Sequence, residues 1–266
     1  MLPLLAALAA ASLAAAAAYG LVHWLDRRTR PRKADDDIPS ASRVGAITLS
    51  LVGFVVVGIC LGAVAKAIER ETALVRWDED VTRWASEHAG SIGTDLLRLI
   101  THLGDTVTVA AITLLGAALL VWKGHRRLAL FLATVVIGQW AISNLIKEVV
   151  ARARPEIDPL SAFSGFSFPS GHATAAAATY LAVAIVVSGL QPQRNRAALV
   201  AGAVAIAVAV AASRVLLGVH WFSDVIGGVL LGWTWCVMCA VAYDVLSRKP
   251  LPDSSTSTVT ASPSTT

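Results

Sequence analysis

Seven blocks of about 20 mostly apolar residues dominate this chain, at roughly 2–25, 44–68, 106–122, 128–150, 173–190, 197–217 and 225–246. Each is long enough to cross the hydrocarbon core of a bilayer as one helix. Inside hydrocarbon, every backbone N–H and C=O must be satisfied within its own segment, so a lone spanning block has to be helical. The sequence therefore predicts an all-α, multi-span membrane protein. Composition agrees: of 266 residues, 56% are hydrophobic and only 15% charged, where soluble domains carry about 25%. Net charge is +4. No basic stripe interleaved with aromatics is visible, which argues against a nucleic-acid partner.

The blocks divide the chain into a segment 1–43 with an anchor helix and a basic cytoplasmic loop, a helical membrane domain over 44–247, and a tail over 248–266. The first block has no basic residues before it. Its cations follow instead, in the run Asp26 to Lys33, which is the opposite polarity to a signal peptide. It reads as a retained anchor, the alternative being an export signal. The tail is rich in Ser, Thr and Pro and lacks apolar periodicity, so it reads as disordered. If all seven blocks span, one side of the membrane holds 13 of the 22 Lys and Arg residues, with six in loop 26–43. That side is then cytoplasmic. The opposite loops, which carry Lys147, Arg154 and Arg214, face outward from the cytoplasmic membrane.

Segment 69–105 has a different pattern. Val81, Trp84, Leu96, Leu97 and Ile100 suit amphipathic helices lying at the outer interface. Trp77 and Trp84 are seven residues apart and can anchor one face at headgroup level. Cys60, Cys236 and Cys239 all lie in apolar blocks. The pair Cys236 and Cys239 forms a CxxC, but without a second Cys pair or a His cluster it reads as packing.

Three short polar runs border the later blocks. They are Lys147…Arg154-Pro155, Pro169-Ser170-Gly171-His172 and Ser213-Arg214…His220…Asp224. Charge at a membrane span is costly and marks a functional candidate. Ser170 and Gly171 precede a long Ala-rich helix, and a helix start offers unpaired N–H groups and a favourable dipole to an anion. Lys147 and Arg154 are seven residues apart, nearly on one helical face. Pro155 ends that helix, so Arg154 can turn toward the same point. Arg grips phosphate oxygens in pairs, whereas Lys acts as a point charge. Arg152 falls outside the motif and reads as an auxiliary contact. Arg214 sits in an apolar run, where it requires an anionic partner.

His220 and Asp224, four residues apart, stack if the stretch is helical. A carboxylate on one ring nitrogen fixes the tautomer and frees the other nitrogen to attack. His220 thus reads as a nucleophile, His172 as a general acid, and Lys147, Arg154 and Arg214 as the shell for equatorial phosphoryl oxygens. Ser170 and Gly171 complete the phosphate cradle. No His, Asp or Glu cluster offers a metal site, so no cofactor is expected. His23, His88, His102 and His125 read as interfacial or loop residues.

In order, the runs read KxxxxxxRP, PSGH and SRxxxxxHxxxD. This resembles the type 2 phosphatidic acid phosphatase (PAP2) superfamily, which also holds the vanadium haloperoxidases, over residues 44 to 247. The resemblance implies a six-helix core preceded here by one extra helix. It also implies a metal-independent phosphatase acting through a phosphohistidine on His220, with His172 as acid. The expected substrate is a lipid phosphate or diphosphate: phosphatidate, phosphatidylglycerol phosphate or polyprenyl diphosphate. Two rivals are a vanadium-dependent peroxidase and a non-catalytic phosphate or lipid transporter. The first conflicts with the apolar blocks, because those peroxidases are soluble. The second leaves two histidines and a carboxylate without a task.

Overall fold

The computed structural model describes residues 40–70, 73–155, 165–190 and 195–247. The first apolar block, the basic loop through residue 39, residues 71–72, residues 156–164, residues 191–194 and the tail from 248 lie outside the described residues. Among the described residues eight helices follow one another: α1 Ser40–Glu69, α2 Ala73–Ile92, α3 Thr94–His102, α4 Thr106–Trp122, α5 Arg126–Val150, α6 Gly171–Leu190, α7 Arg196–Leu216 and α8 Phe222–Ser247. Among the described residues there is no strand. Six segments of the described residues are long and apolar enough to cross a membrane, with α3 and α4 counted together as Thr94–Trp122. The chain is a multi-span helical membrane protein. Two boundaries differ from expectation: α1 begins at Ser40 rather than 44, and the third span gains α3 before it, nine residues or about two and a half turns of amphipathic helix.

α6 is the centre of the bundle. It packs against α8, α7, α5 and α4, and most of its residues are buried. Its Ala-rich sequence explains this position, because small side chains let neighbouring backbones approach closely. The facing helix α8 carries Gly228 and Gly232, one turn apart. A Cβ on Gly228 would stand 2.7 Å from the Ser170 carbonyl oxygen, and one on Gly232 would stand 2.6 Å from the Thr174 carbonyl oxygen. A third close approach locks α5 to α8. The Trp235 ring covers Gly138, leaving only 2.2 Å for a Cβ, and its indole N–H donates to the Val135 carbonyl at 3.0 Å.

The principal core joins Phe131, Leu132 and Val135 of α5 to Ala178 and Ala182 of α6, and includes Cys236 and Cys239. Both thiols are buried and unbridged, so the CxxC acts as packing here. α1 lies at the periphery against α8. Its exposed Leu49, Val52, Val55, Val56 and Ile59 form an apolar face suited to acyl chains.

The amphipathic reading of 69–105 holds for α2, but its two tryptophans part company. Trp84 is exposed and stacks on His88. Trp77 turns inward and meets Phe222 of α8 edge-on at 5.3 Å. It is therefore an internal contact rather than a headgroup anchor. Phe166 and Phe168 also differ from each other. Phe168 is fully buried against Leu61 and Leu231, whereas Phe166 stays partly exposed. Phe168 thus packs the loop against the bundle.

The glycine contacts generate a test. Gly232→Ala forces a methyl into the α6 backbone and is expected to cost about 1–3 kcal/mol. Gly202→Ala has no neighbour within 4 Å of the new methyl and should be neutral or slightly stabilising. Thermal unfolding in detergent measures both. Equal midpoints for the two variants would contradict the close α6–α8 approach.

Candidate active site

α5 runs as a regular helix to Val150 and stops at Ala151, which adopts a left-handed conformation with φ 46°. Residues 151–155 are non-helical. Lys147 and Arg154 therefore do not share a helical face, as their spacing had implied. Lys147 comes from the last turn of α5, and Arg154 returns from the segment beyond it. Both nevertheless line one cavity of 870 Å³ together with Gly171, His172, Arg214 and His220. Lys147 Nζ lies close to the α6 start: a Cβ on Gly171 would be 3.6 Å from it. Glycine keeps that backbone open to a ligand, and the first N–H groups of α6 have no helical acceptor.

Ser170 precedes α6, as expected of an N-cap. Its carbonyl accepts from the Thr174 N–H at 3.0 Å, and its own N–H donates to the Asp224 carbonyl at 3.0 Å. The side chain does not cap the helix. Ser170 is fully buried, its Oγ has no hydrogen-bond partner, and it stands behind the cavity wall rather than in it.

His220 and Asp224 are brought together, with His220 in the turn before α8 and Asp224 in the first helical turn. The ring Nδ1 lies 3.3 Å from Asp224 Oδ2. On the other side, Arg154 Nη1 lies 3.0 Å from Nε2. A guanidinium only donates, so Nε2 is the acceptor and Nδ1 carries the proton. This tautomer places the Nε2 lone pair against Arg154, one of the cations that line the cavity. Burial is the main reason that His220, only 1% exposed, has its pKa pushed down to about 3. The imidazole thus stays neutral over the physiological range. Burial also lowers the pKa of Arg154, against the pull of Asp224.

Asp224 is fully buried and saturated with donors. Its Oδ2 accepts from the Trp221 N–H at 3.0 Å and from the Ser167 hydroxyl, while Oδ1 accepts from Arg152 Nη1 at 2.7 Å. Arg152 also donates through Nη2 to Asp78 Oδ2 at 2.9 Å and through Nη1 to Ser223 Oγ at 2.8 Å. Its guanidinium lies 5.1 Å from the Trp221 ring. Asp78, on α2, accepts from both the Ser223 N–H and the Ser223 hydroxyl. Burial raises the Asp78 carboxyl above its usual range, and the Ser223 and Arg152 contacts oppose that rise.

His172, at the start of α6, faces a second carboxylate. Its Nε2 lies 2.5 Å from Asp105 Oδ1, and the other oxygen of Asp105 lies 2.5 Å from His102 Nδ1. Asp105 occupies the N-cap position of α4 without capping it. Arg214 donates through Nη1 to Thr101 Oγ1 at 2.9 Å, while its Nε has no hydrogen-bond partner. Sequence reasoning missed Asp78, Asp105 and Ser167, and placed His102 away from the site. Among the described residues, no group of His, Cys, Asp and Glu is arranged to hold a metal. The assembly places two imidazoles, His172 and His220, on the lining of one cavity that also carries Lys147, Arg154 and Arg214. It has the parts for attack on a phosphoryl group and for protonation of a leaving oxygen.

Comparison with known proteins converges on the same region. The model of the PAP2 superfamily matches residues 127–248. Phosphatidylglycerophosphatase B of Bacillus subtilis is 36% identical over 143 residues, covering 50% of this chain and 66% of that protein. Lipid A 1-phosphatase of Rhizobium etli is 30% identical over 60% of this chain and 75% of its own length. Decaprenylphosphoryl-5-phosphoribose phosphatase of Mycobacterium tuberculosis is 34% identical over 52% and 73%. The crystal structure of a transmembrane PAP2 type phosphatidylglycerolphosphate phosphatase from Bacillus subtilis superposes with a TM-score of 0.68 at 28% identity, covering 74% of this chain and 98% of that one. The matched region contains all three polar runs, and its helices carry them to one cavity: the chain belongs to the PAP2 superfamily.

Proposed function

We propose that this protein is a membrane lipid phosphatase that works through a phosphohistidine on His220. The observation that carries this reading is the placement of His220 between Asp224 and Arg154, at the edge of a cavity lined by three cations. Lys147, Arg154 and Arg214 take the phosphoryl oxygens, helped by the first N–H groups of α6. His220 Nε2 attacks phosphorus, and the bond to the lipid oxygen breaks. His172, steadied by Asp105, gives its proton to that oxygen. Water then attacks the phosphohistidine, its proton returns to His172, and the P–N bond breaks to release phosphate. The relatives' names supply the substrate class, a phosphate on a lipid. No metal enters this scheme, because cations of the chain itself stabilise the charge.

His220→Ala is expected to reduce phosphate release at least about 1000-fold while insertion and thermal stability are retained. Asp224→Asn keeps the shape of the group but weakens its hold on the imidazole, and should fall between the two. Phosphate assays on detergent-purified protein decide this. Substantial turnover by His220→Ala would remove the nucleophile assignment.

Activity should also survive EDTA. Orthovanadate should inhibit well below the substrate concentration needed for turnover, since it resembles the phosphoryl group in transfer. Loss of activity in chelator, restored by Mg²⁺ or Zn²⁺, would overturn the metal-independent scheme.

The Lys and Arg asymmetry supports an outward-facing site in the cytoplasmic membrane. On a Cys-free background, Ser164→Cys should react in intact cells with a membrane-impermeant thiol reagent, and Gln193→Cys should not. The reverse labelling pattern would place the site in the cytoplasm.

A further inference from the structure

Below Lys147 the cavity continues along one side of α5, deeper into the span. The α5 residues that line it include Gln139, Ser143 and Asn144 as well as Lys147. Gln139, Ser143 and Lys147 are spaced four residues apart, so they form a single stripe with about 6 Å between successive members along the axis. Gln139 is 4% exposed and Ser143 is 3% exposed. Polar side chains at this depth in an apolar helix are costly unless something satisfies them.

Three hydroxyls in the neighbouring spans satisfy themselves locally. Thr113 donates to the Val109 carbonyl at 2.7 Å, Thr174 to the Ser170 carbonyl at 2.8 Å, and Ser213 to the Val210 carbonyl at 2.7 Å. Ser143 does not, and its Oγ has no partner. Thr179 and Ser188 are also unpaired, but neither lines the cavity. The opposite walls are apolar, with Val109 and Ala110 from α4 and Ala175 from α6. At the rim, Ile137 and Trp140 are exposed, so the groove opens sideways toward lipid.

The cavity therefore presents cations at one end, hydrogen-bonding side chains one and two turns deeper, and apolar walls throughout. We infer that Gln139 and Ser143 form a subsite for the ester carbonyls of a diacyl glycerophosphate lipid, which selects that class over prenyl phosphates. In such a lipid, carbonyl acceptors follow the phosphate within a few bonds and the acyl chains come next. A prenyl chain has no acceptor at that depth and would leave both side chains desolvated and unpaired, a penalty that lowers its affinity. This subsite rests on the lipid phosphatase reading above and names the substrate class of the same site.

The test compares three substrates on the purified full-length chain: a diacyl phosphatidate, its dialkyl ether analogue with no carbonyls, and a polyprenyl diphosphate. The wild-type protein should prefer the diacyl over the dialkyl lipid by about threefold to tenfold in kcat/KM, the value of one or two hydrogen bonds. Gln139→Leu with Ser143→Ala should abolish that preference and leave polyprenyl diphosphate turnover unchanged or raised. The milder Gln139→Met alone should halve the preference if the double variant inserts poorly. Equal wild-type rates on the diacyl and dialkyl lipids would overturn the inference without any variant. So would an equal loss on all three substrates in the double variant, since that marks the pair as purely structural. Failure to release phosphate from any of the three would instead refute the phosphatase reading itself.

Discussion

Arg152 lies buried between two carboxylates that are themselves fully buried, Asp78 of α2 and Asp224 of α8. Three separate stretches of chain meet at this guanidinium: the amphipathic helix α2, the exit of α5 and the start of α8. Each charge in the trio would be untenable alone in that environment, and removing one partner from such a set costs about 3–5 kcal/mol. The planar fork of arginine suits the arrangement, because separate nitrogens reach Asp78 and Asp224 at once. Fixing Asp224 fixes His220, and so the orientation of the candidate nucleophile depends on a cation that never faces the cavity. The Trp221 N–H and the Ser167 hydroxyl complete the shell around the Asp224 carboxylate. Arg152 is thus a positioning residue, distinct from Lys147, Arg154 and Arg214, which line the cavity.

The same economy appears in the helix packing. α6 must start where its N–H groups face the cations, and α8 must start where Asp224 meets His220. The two starts are joined by the hydrogen bond from Ser170 N–H to the Asp224 carbonyl. That contact is possible only because α8 approaches α6 through Gly228 and Gly232, at which any larger residue would meet backbone. Small-residue packing, common between membrane helices, here sets the distance between the start of α6 and the imidazole–carboxylate pair.

Much of this was legible in the sequence, for identifiable reasons. Block length gave the spans, since the bilayer imposes one length and one secondary structure on each of them. The polar runs gave Lys147, Arg154, His172, Arg214, His220 and Asp224, because charged residues are conspicuous against apolar surroundings. Spacing did not reveal the way Arg154 arrives, because the helix ends at Val150 and the rest is loop geometry. Asp78 was hidden within an amphipathic pattern whose polar residues seemed to belong to water. A signal was present: Leu74, Asp78, Val81, Thr82 and Ala85 follow helical spacing, so a lone carboxylate stands in the middle of the less exposed face. Asp105 was hidden differently. It precedes a span and looks like an N-cap, and only the tertiary fold directs its carboxylate to His172. The long separations, 74 residues from Arg152 to Asp78 and 67 from His172 to Asp105, leave no local trace.

The two imidazole–carboxylate pairs differ in a way that matches the two tasks proposed for them. His220 is sealed, and burial keeps it neutral. Its carboxylate partner is neutralised by Arg152 on the far side. A group so enclosed can offer a lone pair to phosphorus and exchanges protons with solvent poorly, which suits a nucleophile. His172 keeps more than a quarter of its side chain accessible, and its partner Asp105 turns its other oxygen to His102, which is largely exposed. A general acid must lose a proton in one half of the cycle and regain it in the other. An imidazole connected to water through a carboxylate and a second imidazole meets that requirement. In the proposed mechanism the chain uses an imidazole–carboxylate pair twice and burial divides the roles: the dry pair attacks, and the wet pair moves protons.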